Sequence, residues 1–183
     1  PDVYIISGDI YHTTSPQTSA QEMLLRHLMN VHAASESMKV VVTAGNHDSN
    51  KVEINDPLWN LVGVSVIASI KRSILEGEDS EAFHDELFAR HIIPVEVDTR
   101  TKGYIVAIPH CYPANFPSVK EGLSREDRQR EFISLLLDEV ARRNTEKLPV
   151  VVMAHTAVRR RSGEDPDAVG QDLDLIGGID MIG

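Results

Sequence analysis

Three short apolar runs in this chain each end in residues able to hold a cation. Val3–Ser7 ends in Gly8-Asp9, Lys39–Thr43 in Ala44-Gly45-Asn46-His47-Asp48, and Pro149–Met153 in Ala154-His155-Thr156. Asp9 offers a carboxylate, Asn46 a neutral amide oxygen and His155 an imidazole nitrogen, a donor set for a divalent metal. In open α/β sheets the site lies outside the carboxyl ends of the strands, so three strand ends of this kind can converge on one edge. Gly8-Asp9 alone is commonly no more than a turn. Gly45-Asn46-His47-Asp48 is sharper, because glycine permits close backbone approach and His47 can bind a metal or donate a proton. The bland alternative there is an Asn-rich turn carrying a solvated histidine.

The elements that must position these residues read as an α/β chain. Val3–Ser7 and Lys39–Thr43 are buried strands flanking a helix from about Ser19 to Ala33, with Ser19 and Glu22 as a capping box and Leu24, Leu28 and Val31 on one face. Strand, helix, parallel strand is a βαβ unit. Asp56-Pro57-Leu58-Trp59 opens a short helix, Val64–Ile67 is a strand, and Glu76–Glu81 is a loop or helix start. Ile92–Val97 and Tyr104–Ile108 read as a hairpin turning near Lys102-Gly103. Ser124 and Asp127 form a second capping box, before Phe132, Leu136 and Val140 and, alongside them, Ile133 and Leu137 at helical spacing.

Other chemically suggestive residues have plainer readings. His110-Cys111 has the makings of a metal pair, but with no second half it reads as a strand-end loop. Arg159-Arg160-Arg161 follows His155 and reads equally as a DNA-phosphate contact or a solvated loop. His27 and His32 fall on the first helix as surface residues, His84 and His91 have no recognisable partners, and Trp59 reads as core.

The chain has 183 residues, of which 42% are hydrophobic and 25% charged, which suits one globular domain. Its net charge of −10 argues against a surface that grips nucleic acid by charge alone, though a metal centre or a basic partner can offset that locally. The single cysteine, Cys111, excludes an internal disulfide and points to a reducing cytoplasm. No apolar stretch approaches a membrane span, and no secretory leader is visible. Pro1-Asp2 leads straight into a strand and Gly177–Gly183 stops in mildly apolar sequence, so both edges are expected to cut through a domain.

Gly8-Asp9-Ile10-Tyr11-His12, Gly45-Asn46-His47-Asp48 and Ala154-His155-Thr156 together resemble the middle motifs of calcineurin-like metallophosphoesterases. Ile5-Ile6-Ser7-Gly8-Asp9-Ile10-Tyr11-His12 with Pro16, and Asn46-His47-Asp48-Ser49, are most similar to the SbcD-type break-repair nucleases within that superfamily. The resemblance runs over about residues 1–50 and 148–183 and is loose between them. It implies that Asp9 bridges two divalent metals, usually Mn2+, that Asn46 and His155 are further ligands, and that His47 is the catalytic histidine. His12 stands where many superfamily members carry an Asp that orients that histidine; in the nuclease branch a His there helps place the DNA strand. The chemistry is consistent with this assignment: a phosphodiester is a poor electrophile, and two cations about 3.5–4 Å apart activate water and stabilise both attacking and departing oxygens. Manganese accepts such mixed donors, and a bridging carboxylate offsets the repulsion between two close dications.

The same resemblance implies an Asp-x-His pair before residue 1 and a Gly-His-x-His pair after residue 183; neither occurs in the sequence. Residues 1–183 are therefore expected to be a nuclease-domain fragment without the first and last metal motifs or a C-terminal capping domain, binding metal weakly and inactive alone. The implied partners are DNA, an SbcC-like ATPase and a second copy in a homodimer. Two readings compete with a DNA exonuclease and endonuclease: a phosphatase acting on phosphoproteins or small esters, and a non-catalytic protein-binding scaffold.

Overall fold

The computed structural model describes residues 1–70, 80–112, 116–117, 122–160 and 178–181. Its elements run β1 (Val3–Ser7), α1 (Thr18–Ala34), β2 (Lys39–Thr43), a 3-10 turn over Asn50–Asn55, α2 (Asp56–Asn60), β3 (Val64–Ile67) and α3 (Ser80–His91). They continue with β4 (Ile92–Val97), β5 (Arg100–Ile108), α4 (Arg125–Arg143), β6 (Val150–Ala154), β7 (Ala157–Arg160) and β8 (Gly178–Met181). The first sheet is parallel, in the order β1-β2-β3, with Ser7 opposite Thr43 and Thr43 opposite Ile67. The second, β4-β5-β6, joins an antiparallel hairpin to a parallel neighbour that sets Ile108 opposite Ala154. A parallel pair, β7-β8, completes the described strands.

Alternation along the strands fixes the layers. On β2, Val40 and Val42 face α1 and pack with Leu28, Leu24 and Val31, while Val41 faces the second sheet. On β5, Ile105 and Ala107 meet Val41, Ile67 and Met153 between the sheets, while Val106 and Ile108 face Phe132, Leu136 and Val140 of α4 and Leu87 of α3. The order is helix, sheet, sheet, helix. Val41, Val106 and Leu136 are fully buried at 0% exposure, each stabilising the stack by roughly 1.5–3 kcal/mol relative to an exposed side chain. Among the described residues no helix is long and apolar enough to cross a membrane.

Three local expectations give way, the first being burial of β1 and β6, which leave Ile5, Val150, Val151 and Val152 exposed at the ends of the described sheets. The first helix is not capped at Ser19: the chain leaving Pro16 is already extended at Gln17, whose carbonyl takes the amides of Ala20 and Gln21, so Ser19 falls inside the first turn. The hairpin turns at Asp98-Thr99, both left-handed (φ 49° and 65°), not at Lys102-Gly103. Gly103 instead lies within β5, where an added Cβ would press on the carbonyl of Pro149 as β6 begins. Of the two readings offered for Glu76–Glu81, the helix start is the one seen, at Ser80, while residues 71–79 lie outside the described ones. At the second box the N-cap half forms, Ser124 Oγ accepting from the Asp127 amide at 3.1 Å, while the Asp127 carboxylate accepts from the Ser124 hydroxyl at 2.7 Å. Trp59 packs against the first core cluster, as a core residue should. His91 is wholly buried rather than partnerless, with Nδ1 2.8 Å from the Ala107 carbonyl oxygen.

Candidate metal centre

Parallel pairing brings the ends of β1 and β2 level, and Gly8 N–H donates to the Thr43 carbonyl at 3.0 Å. The second sheet is tied to the same edge because His110, just past β5, donates its amide to the Ala44 carbonyl at 2.8 Å. Since β6 runs parallel to β5, its end delivers His155 to this corner.

Two glycines make the approach possible. Gly8 has φ 80°, a conformation natural to glycine, and a Cβ there would overlap Nδ1 of His155. A Cβ on Gly45 would overlap both the amide nitrogen and Oδ1 of Asp9. Asp9 itself holds a left-handed φ of 47°, an unusual backbone that an aspartate tolerates better than most residues and that aims its carboxylate inward.

The three donors predicted from the strand ends converge. His155 Nε2 lies 3.1 Å from Asn46 Oδ1 and 3.5 Å from Asp9 Oδ1. The other ring nitrogen, Nδ1, sits 3.3 Å from the Ser7 carbonyl oxygen, which can only accept. With its proton on Nδ1 and donated to that carbonyl, the ring leaves Nε2 to ligate a cation shared with the two oxygens. A carbonyl facing the far nitrogen is how metal-binding imidazoles are oriented. One carboxylate, one amide and one imidazole thus fit part of a divalent cation's coordination shell. Among the described residues, no three His, Cys, Asp or Glu side chains converge in this way, so the third donor is the amide.

His47 is anchored to the same carboxylate, its amide donating to Asp9 Oδ1 at 3.2 Å. Its ring lies parallel to that of His12, with centroids 6.0 Å apart and planes within 5°. His12 in turn lines a cleft of about 680 Å³ between the β1–α1 loop and helix α1. Arg159 and Arg160 fall on β7, and Arg161 lies outside the described residues.

Two residues at this corner have roles that no local pattern announced. Asp48, at 9% exposure, accepts from the amides of Gly45, Ile10 and Tyr11 at 2.7, 3.0 and 2.8 Å, locking the two metal loops to each other. Burial, with the Asp48 charge adding to it, pushes the Tyr11 phenol above its ordinary pKa. His110 stands with its ring centroid 6.2 Å from that of His155. Burial and then His155 lower its pKa, and the Asp9 carboxylate opposes them. The Asp in Asn-His-Asp was the available signal for the first; His110 meets the corner through Ala44 and His155, both distant from it in the chain.

The family model for calcineurin-like phosphoesterases matches residues 1–182. A curated relative from Rhodobacter capsulatus, the SbcD component of nuclease SbcCD, is 26% identical over 161 residues, covering 84% of this chain and 38% of the relative. The chain thus spans well under half the length of that relative.

Proposed function

The chain belongs to the calcineurin-like phosphoesterase family, and from that premise we propose that it is the nuclease portion of a metal-dependent phosphodiesterase acting on DNA in repair and recombination. In this reading residues 1–183 belong to a metallophosphoesterase domain that works in the cytoplasm with an SbcC-like ATPase, and also pairs as a homodimer. The observation that carries the reading is the meeting of Asp9 Oδ1, Asn46 Oδ1 and His155 Nε2 within 3.1–3.5 Å of the imidazole nitrogen. Similarity to the SbcD component of nuclease SbcCD favours DNA over other phosphate esters.

Asp9, Asn46 and His155 would hold divalent cations, with Mn2+ the best match to a mixed carboxylate, amide and imidazole set. Bound there, such cations supply Lewis acidity that offsets the charge building on a phosphodiester under attack. The protein's own groups do the rest. The Asp9 carboxylate holds the His47 backbone at the corner, where that imidazole would steady charge on the phosphate or protonate the departing oxygen. His12, parallel to His47, borders the cleft along α1 and places the strand there. Asp48 keeps the loops carrying Asp9 and Asn46 in register. Arg159, Arg160 and Arg161 follow His155 in sequence, where the incoming backbone phosphates would pass.

The test offers linear double-stranded DNA and p-nitrophenyl phosphate to the product of the whole gene in Mn2+. Cleavage of DNA in preference to the aryl ester is expected. Hydrolysis of the ester alone would transfer the site to a phosphatase, and no hydrolysis of either would remove the enzymatic reading.

A further inference from the structure

A second ring pair lies against the metal corner, on the loop that leaves β5. The amide of His110 is pinned to the end of β2 through the Ala44 carbonyl at 2.8 Å, so this loop is part of the corner's frame. The His110 ring meets His155 nearly at right angles, 78° between planes and 6.2 Å between centroids. It also meets Tyr112, again edge to face, at 83° and 5.0 Å. Three rings thus step outward from a proposed metal ligand to a tyrosine that is 51% exposed.

A single exposed tyrosine needs no explanation. This one differs because its ring is oriented by a histidine that itself abuts the centre, which is the arrangement of a fixed aromatic face. A phosphodiester drawn to Asp9, Asn46 and His155 carries its flanking nucleosides with it, and any unpaired base has a π-face able to stack on such a ring. Charge does not supply this contact, since the chain's net charge of −10 opposes general binding of nucleic acid.

We propose that Tyr112, held edge-on by His110, is a stacking platform for an unpaired nucleobase beside the phosphodiester in the corner. This rests on the phosphodiesterase reading above and deepens it by naming a residue that touches the substrate. His110 is a positioning residue here, and Tyr112 is the group that touches the base.

The experiment measures binding of a fluorescent twelve-nucleotide oligo(dT), and of an abasic strand of equal length, to the 183-residue chain in Mn2+. Wild type should bind the base-bearing strand more tightly. Tyr112→Ala should weaken oligo(dT) binding roughly 5- to 150-fold while leaving the abasic strand unchanged, and Tyr112→Phe, which keeps the ring, should retain the preference. His110→Ala should lose part of the preference, and thermal melting of each variant separates misfolding from lost stacking. Equal binding of the two strands by wild type, equal losses on both strands for Tyr112→Ala, or no binding of either strand would each overturn the platform. Hydrolysis of bis(p-nitrophenyl) phosphate by the whole-gene product, which needs no base, judges the phosphodiesterase reading separately.

Discussion

Gly8 and His155 occupy one another's space so closely that a Cβ on the first would overlap Nδ1 of the second. The absence of a side chain at position 8 is thus what allows an imidazole from β6 to lie across the end of β1. Gly8→Ala should displace His155 and strain a backbone that sits at φ 80°. The expected loss is roughly 1–3 kcal/mol in urea denaturation, together with weakened Mn2+ binding by calorimetry. A variant with unchanged stability and unchanged binding would show that the two residues are not coupled.

Asp48 makes a different kind of prediction, because it touches the loops and none of the proposed ligand atoms. Its two oxygens take three backbone amides, and an asparagine there would turn an amide donor toward donors. Asp48→Asn should therefore cost roughly 2–4 kcal/mol of folding stability. Asp9→Asn, at an exposed side chain, should cost far less. If the two variants unfold at the same denaturant concentration, the loop-locking role of Asp48 is wrong.

Metal binding should follow the donor count. Three donors hold a cation loosely, so calorimetric titration of the chain with Mn2+ should give weak binding, and the chain alone should not degrade linear DNA. Replacing Asp9 by Asn or Asn46 by Ala should weaken that binding at least about tenfold, by analogy with the cost of disturbing a ligand's supporting partners. Tight binding by wild type, or none lost in either variant, would break the link between this corner and the metal.

How far the sequence announced this arrangement depends on the range of the contacts involved. Strands declare themselves as apolar runs, so the ends bearing Asp9, Asn46 and His155 were legible, as was the α/β class. Burial was not, because β1 and β6 end the described sheets and leave Ile5, Val150, Val151 and Val152 exposed where β2 is covered on both faces. Ser124 and Asp127 were legible because a capping box is local. Gly103 misled because its reason lies in Pro149 on another strand, not in a turn. Helix α3 carried no clear apolar stripe, so only a loop or helix start near Glu76–Glu81 was readable and not its run to His91. His110 and Asp48 escaped for the same reason as Gly103: their partners, Ala44 for one and Ile10 with Tyr11 for the other, are brought near only by the closed fold.

His91 gives the fold a measurable pH dependence. It is wholly buried between β4, β5 and α4, Nδ1 facing the Ala107 carbonyl and its ring edge-on to Phe132 at 5.5 Å and 87°. Burial lowers its pKa to about 4, with the Ala107 hydrogen bond opposing this and the neighbouring Arg90 charge adding to it. The unfolded chain, with an ordinary imidazole, takes up a proton near pH 6.5, while the folded chain resists until about pH 4. Between those values the unfolded state binds more protons, so stability falls as pH falls, by roughly 3 kcal/mol across the window, and this contribution is flat above it. Urea denaturation from pH 7 to pH 4 should show that slope, and His91→Phe, which keeps a ring against Phe132 but cannot titrate, should flatten it by about one proton. An unchanged slope in the variant would place the acid sensitivity elsewhere.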